Sequence, residues 1–264
     1  MTAPAIVQPT MVPAGSGAVG SGSVGGLSRN ELVWETRFVM FAFLISGVMA
    51  AVVLIVRHAY HVGAGPDPVS LVIPGHPLAS FLVGIPEYLT VAAVAPLVLM
   101  LLRRTGQDRR VLGLALPGWS SDIWPAIGLI AAGVGTEFVF LIPLGRLLED
   151  HPGLLNQTAV GHVPAYYVIY GLAISATTAV AEEVIVNGYL LVRLNQLGWD
   201  PRRALILSLF LRTSYHIYYG LGFIFTIPLG YFLTRSFQKR GLLTRVIFAH
   251  FLYDAVLITI AILK

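Results

Sequence analysis

Six residues in the last third of the chain have side chains suited to acid–base or metal chemistry: Glu182, Glu183, Arg212, His216, His250 and Asp254. They stand among apolar residues, and a charged side chain inside a bilayer costs on the order of several kcal/mol, so each needs a reason to be there. Two imidazoles with one or two carboxylates suffice either to hold a divalent metal such as zinc or to activate a water directly. His250 and Asp254 are four apart and project from one helix face. Glu182 and Glu183 are successive and therefore about 100° apart on a helix. That spacing sends one of them to a shared site and leaves the other for a structural bond. The chain has no cysteine, which removes thiolate ligands, thiol nucleophiles and disulfides.

The elements that must position these residues are membrane helices. Of 264 residues, 56% are hydrophobic and 11% charged, against about 25% charged in a soluble domain. Mean hydropathy is +0.78. The net charge of +4 comes from basic residues in short loops between apolar runs, which is the positive-inside pattern rather than a nucleic-acid footprint. No nucleic-acid partner is expected; the partner of the surface is the lipid bilayer. Residues 1–27 are a Gly/Ser/Ala/Pro-rich stretch without charge, read as a flexible tail and not as a signal peptide.

Apolar runs follow at Phe38–Val56, Leu78–Leu102 (with Pro86, Glu87 and Pro96) and Ile123–Leu144 (with Glu137). A fourth begins near Val163, stays uncharged to Glu182 and continues to Leu197 as one long, bent helix. Residues from Asp200 to Gln238 read as a hairpin of two short spans turning at Gly220 and Gly222, and Val246–Leu263 is the last run. The expected fold is all-α, a polytopic transmembrane bundle of about seven spans (six to eight), organised as tail 1–27, amino-terminal helices 28–162 and a core at 163–264. With seven spans, every basic cluster falls on one face: Arg29 and Arg37; Arg103, Arg104, Arg109 and Arg110; Arg193, Arg202 and Arg203; Arg235, Lys239, Arg240 and Arg245. That face is cytoplasmic and holds the N-terminus, in an integral protein of a prokaryotic plasma membrane.

Counted from those loops, Glu182 lies about 17 Å, His216 about 20 Å and His250 about 15 Å along their helices. Three helices thus carry ionisable groups to a similar depth. Other polar residues have plainer readings. Glu137 and Glu87 are helix-interface or water-cavity acids. His58, His61, His76, His151 and His162 are solvated in loops, and Tyr189, Tyr215, Tyr218, Tyr219 and Tyr253 are packing or interfacial residues.

Three segments carry a resemblance. Glu182-Glu183-Val184-Ile185-Val186-Asn187-Gly188-Tyr189-Leu190, then Arg212-Thr213-Ser214-Tyr215-His216, then His250-Phe251-Leu252-Tyr253-Asp254 are similar to the three motifs of the CPBP family, in order and spacing across about residues 165–260. That family comprises intramembrane peptidases related to the CAAX prenyl endopeptidase and to bacterial Abi proteins. The resemblance implies a Glu182 general base with Glu183 beside it, and His216 assisting. It implies that His250 and Asp254 bind a metal or polarise the substrate carbonyl. Were a divalent metal bound, its ligands would come from His250, Asp254, His216 and Glu182. Many relatives have Asn where this chain has Asp254, and an ionised Asp cannot donate to an oxyanion, so a ligand role suits it better.

The chain departs from the pattern twice. Asn187 stands where the first motif commonly has Arg, four residues after Glu183, and Arg212 stands where the second commonly has Phe. We infer that Arg212 supplies the missing cation from the neighbouring helix as a structural ion pair with Glu183. The function expected is an intramembrane endopeptidase acting on a membrane-associated peptide or protein. The alternatives are a non-catalytic immunity or scaffold member of the same fold and, last, a proton-coupled transporter, which the absence of a repeat disfavours.

Overall fold

The first helix starts where a reciprocal cap forms: Ser28 N–H donates to Glu31 Oε2 at 2.7 Å and Glu31 N–H donates to Ser28 Oγ at 3.3 Å. The computed structural model describes residues 26–59, 78, 93, 96–107, 109–114, 122–148, 167–217 and 221–263, and every regular element among them is helical. Helix α1 is Arg29–Ala59, and a helical stretch follows at 96–104. Helix α2 is Trp124–Leu148. Helix α3 (Tyr167–Glu182) runs through a π-helical segment, Glu183–Tyr189, into α4 (Leu190–Gln196), so 167–196 is one rod with a widened turn inside it.

Asp200 caps α5 (Pro201–Tyr215) by accepting from the Arg202 and Arg203 amides, with Pro201 at the first position where no donor is needed. A 3-10 turn at Leu221–Phe225, which includes Gly222, leads into α6 (Thr226–Arg240). Gly241 ends α6 in the left-handed region (φ 64°), and α7 is Leu243–Leu263. The tail 1–25, Gly220, Glu87, most of the run 78–95 and the loop 149–163, with His61, His76, His151, His162, Tyr218 and Tyr219, lie outside the described residues.

Helix α3 packs most extensively on α7, with α2 on α6 and α5 on α6 completing the frame around the π segment. All seven residues of that segment are buried, and Val98, Leu102, Leu112, Leu233 and Leu243 close over it. The outside is apolar as well: Trp34, Phe38, Phe138, Phe140 and Phe210 are all exposed. Two described helices, Trp124–Arg146 and Leu243–Ile260, are long and apolar enough to cross a bilayer. Only 12% of the first is buried, so its apolar side chains face outward, unlike those of a soluble core helix.

Two basic residues counted as loop charges do not sit in solvent. Arg193 is fully buried, donating to Glu35 Oε1 (2.6 Å), Thr105 Oγ1, Gln196 Oε1 and the Leu101 carbonyl. Arg245 pairs with Asp122 at 2.8 Å. Their partners lie far away in sequence, which a loop-by-loop charge count does not register.

Candidate active site

Each arm of the site comes from a different rod. The rod 167–196 brings Glu182 and Glu183, α5 brings Arg212, Tyr215 and (at its end) His216, and α7 brings His250 and Asp254. Arg212 is the hub. Its Nη2 donates to Glu183 Oε1 at 2.7 Å, and its Nη1 lies 3.5 Å from Glu182 Oε2. Successive glutamates on an α-helix point apart, yet here both carboxylates reach the same guanidinium and the same imidazole. His250 Nδ1 is 2.7 Å from Glu183 Oε1, and His250 Nε2 is 4.0 Å from Glu182 Oε2. The physical reason is twofold: the helix widens from α to π between the two residues, and a planar guanidinium offers a separate nitrogen to each acid.

The two acids differ in what else they touch. Glu183 is fully buried and also accepts from Asn187 Nδ2 at 2.5 Å. Asn187 in turn accepts from Thr234 (2.8 Å) and, at 3.5 Å, from Ser208. The position that lacks the family's Arg is therefore a donor to Glu183 in its own right, through an amide rather than a cation. Glu182 accepts from the Tyr215 hydroxyl at 2.5 Å, and its Oε1 lies 4.0 Å from His216 Nε2.

The two histidines are held in different ways. His216 Nδ1 is 2.8 Å from the Arg212 carbonyl oxygen, which can only accept. Nδ1 therefore carries the proton, and in the neutral ring Nε2 presents a lone pair toward Glu182. His250 faces carboxylates with both nitrogens, Glu183 at Nδ1 and Asp254 Oδ2 at 3.3 Å from Nε2, an arrangement that suits a doubly protonated ring.

Residues 164–256 match the family model of the Rce1-like type II CAAX prenyl endopeptidases. This segment is an Rce1-like domain. No curated protein and no solved structure matches the chain. The Rce1-like domain belongs to a membrane-embedded protease family, in keeping with the two long apolar helices. All six ionisable residues singled out by type and spacing fall inside it.

A cavity of about 200 Å³ opens beside the Rce1-like cluster, lined by Arg212, His216, His250 and Asp254 together with Glu137 and Tyr253. A larger cleft of about 500 Å³, between Trp34, Glu35, Leu97 and Arg104, contains none of the clustered residues, so volume alone does not mark the chemistry. Among the described residues no three His, Asp or Glu side chains group as ligands for a metal ion. The cation these carboxylates share is a guanidinium.

Three tyrosines read as packing residues each donate to a buried or half-buried acid: Tyr215 to Glu182, Tyr189 to Glu35 (2.9 Å) and Tyr253 to Glu137 (2.7 Å). Tyr253 and Glu137, from α7 and α2, thereby join the cavity. Nothing in a phenol's sequence position shows which carboxylate it will meet. The one available signal was the acid: Glu137 needed a partner in an otherwise uncharged run.

Proposed function

We propose that the chain is an intramembrane endopeptidase of the CAAX-protease type, hydrolysing a peptide bond of a membrane-associated substrate from a seven-span bundle with a cytoplasmic N-terminus. The observation that supports it best is the approach of Glu182 Oε1 to within 4.0 Å of Nε2 of His216, a residue that lines the polar cavity. A water between two acceptors at that separation can donate one O–H bond to each. Held so, its remaining lone pair is turned away from both and toward an incoming carbonyl.

Glu182 takes a proton as the water oxygen bonds to the carbonyl carbon. The oxyanion that forms is stabilised by the positive charge of the doubly protonated His250 ring, held in place by Glu183 and Asp254. The proton then passes to the amide nitrogen, the C–N bond breaks, and a carboxylate and an amine leave. Arg212 holds both glutamates in place; it is a positioning residue, as are Tyr215 and Asn187. No step is routed through a metal.

The test uses the full chain in detergent or nanodiscs with an internally quenched prenylated CAAX peptide and a pool of unprenylated peptides, products being read by mass spectrometry. Glu182→Gln should lower turnover by about two to four orders of magnitude with the fold intact. Full activity in that variant removes Glu182 from the mechanism, and no cleavage by the unaltered chain favours the scaffold role. Metal analysis of the same samples should find less than stoichiometric zinc. A stoichiometric ion lost in His216→Ala or His250→Ala would replace this scheme with a metal-assisted one.

A further inference from the structure

The helices that carry the site are level at one end. Gln238 Nε2 donates to the Pro201 carbonyl at 2.8 Å, tying the end of α6 to the start of α5. Arg245 holds Asp122 at 2.8 Å, tying the start of α7 to the approach to α2. Residues 197–200 alone join the rod 167–196 to α5. Arg202, Arg203, Lys239 and Arg240 stand at this end, which is therefore the basic end of the molecule. From it α5 and α6 extend 15 residues each, about 22 Å, whereas α2 and α7 extend 25 and 21 residues, about 37 and 31 Å. The shorter pair stops at the cluster. His216 is the C-terminal cap of α5, and Thr226, which begins α6, lines the same cavity as His216.

Exposure within the cluster runs along the same axis. The rod, α5 and α7 each supply two of its ionisable side chains, and each time the one farther from the basic end is the more exposed. Glu183 is 0% and Glu182 10% exposed, Arg212 4% and His216 13%, His250 7% and Asp254 24%. About one turn beyond Asp254, Leu257 lines the cavity and is exposed. Toward the basic end the interior is closed. Residues 183–191 of the rod are buried without a break, and Leu233, Phe237, Leu243 and Val246 are buried beneath the cluster.

We propose that the site opens away from the basic end, so that water and the scissile peptide bond reach Glu182 and His216 from the opposite side of the membrane. The 3-10 turn Leu221–Phe225, next to the cavity, agrees with this. Within a bilayer, backbone that leaves the α-helix is tolerated where it is buried in protein or lines a water-filled cavity. The substrate class that follows is a peptide segment presented from the side opposite the basic residues. A peptide confined to the basic side would meet packed side chains. The direction of opening stands on geometry alone; the ligand's identity as a peptide rests on the peptidase reading.

The absence of cysteine makes the direction measurable, because a single introduced thiol reports water. A charged, impermeant methanethiosulfonate reacts with the thiolate, which forms in water and not in lipid or packed protein. The full chain is held in sealed vesicles of known orientation. Thr226→Cys and Leu257→Cys should react from the face opposite the one at which Lys239→Cys reacts. Thr234→Cys, buried on the basic side of the cluster, should react from neither face. Once modified, the Thr226→Cys protein should lose cleavage of the quenched peptide in detergent, while the modified Lys239→Cys protein keeps it.

Reaction of Thr226→Cys and Leu257→Cys from the Lys239 face, or from neither face, would overturn the proposal, as would reaction of Thr234→Cys from the Lys239 face. Undiminished cleavage by the modified Thr226→Cys protein would overturn the route assigned to the substrate. An unaltered protein that cleaves no peptide would overturn the peptidase reading separately, since the labelled face is read without turnover.

Discussion

Replacing Arg212 by leucine leaves Glu183 with no cation beside it except His250. Both partners are almost wholly enclosed, at 4% and 0% side-chain exposure, so solvent screening gives little relief. Removing one member of a buried pair costs about 3–5 kcal/mol. Here the lower end applies, because Glu183 keeps its bonds from His250 and Asn187. A loss of about 3 kcal/mol in a domain of this size lowers the unfolding midpoint by roughly 6–12 °C.

The rescue is Asn187→Arg, four residues from Glu183, placed in the volume that Arg212 vacates. It deprives Thr234 and Ser208 of their shared acceptor, but their hydroxyls already lie 3.4 Å apart and can pair, so the toll is about 1 kcal/mol. The double variant should therefore regain about two-thirds of what Arg212→Leu loses, although Asn187→Arg alone crowds two cations onto one acid and destabilises. Thermal unfolding of all four proteins in one detergent at one scan rate gives the coupling. Strict additivity would show that Arg212 does not stand in for the cation absent at Asn187. A drop under about 2 °C in Arg212→Leu would show that the buried pair carries little stability at all.

Tyr215→Phe removes the 2.5 Å donor to Glu182 and should reduce turnover roughly ten- to a hundredfold while the substrate KM changes little; equal activity would make Tyr215 a packing residue. Because the chain has no cysteine, single cysteines at Trp199 and Lys239 should react with an impermeant maleimide only from the cytoplasmic face, and one at Gln157 only from the other; labelling of Trp199 and Lys239 positions from opposite faces would refute the seven-span arrangement. Arg193→Met should destabilise by about 3 kcal/mol or more, since it strands Glu35 in a buried network, whereas exposed Arg202→Met should fall within about 0.5 kcal/mol of the unaltered protein. Equal midpoints for the two would make Arg193 an ordinary loop charge.

The long helix from 167 to 196 and the hairpin of α5 and α6 were legible because apolar runs, Asp200–Pro201 and the glycines mark helix limits locally. The ionisable set was legible because a charge in an apolar run is conspicuous by composition alone. The remaining parts depend on distant partners. Arg193 looks like a loop charge until Glu35, 158 residues earlier, is placed against it. Tyr215 looks like packing until Glu182 arrives at its hydroxyl. Gly230 carries no chemistry, yet a Cβ there would stand 2.7 Å from Arg212 Cδ, so its part shows only once the arginine is packed against it. The divergence assigned to Glu182 and Glu183 failed because a wheel of 100° steps presumes an α-helix, and the segment that starts at Glu183 is not one.

That segment also changes how insertions and deletions must be counted. A π turn accommodates an extra residue without breaking the rod, so removing one residue between Val184 and Gly188 would restore plain α geometry. The helix would survive with Glu182 and Leu190 close to their present facing, because the wide turn had absorbed the extra residue; the same deletion elsewhere in the rod would rotate everything before it by about 100° relative to everything after. A deletion of that second kind would be nearly silent to hydropathy. It would nonetheless turn one part of the rod away from its partners, which makes the residue count on either side of this turn, and not only its letters, part of the site.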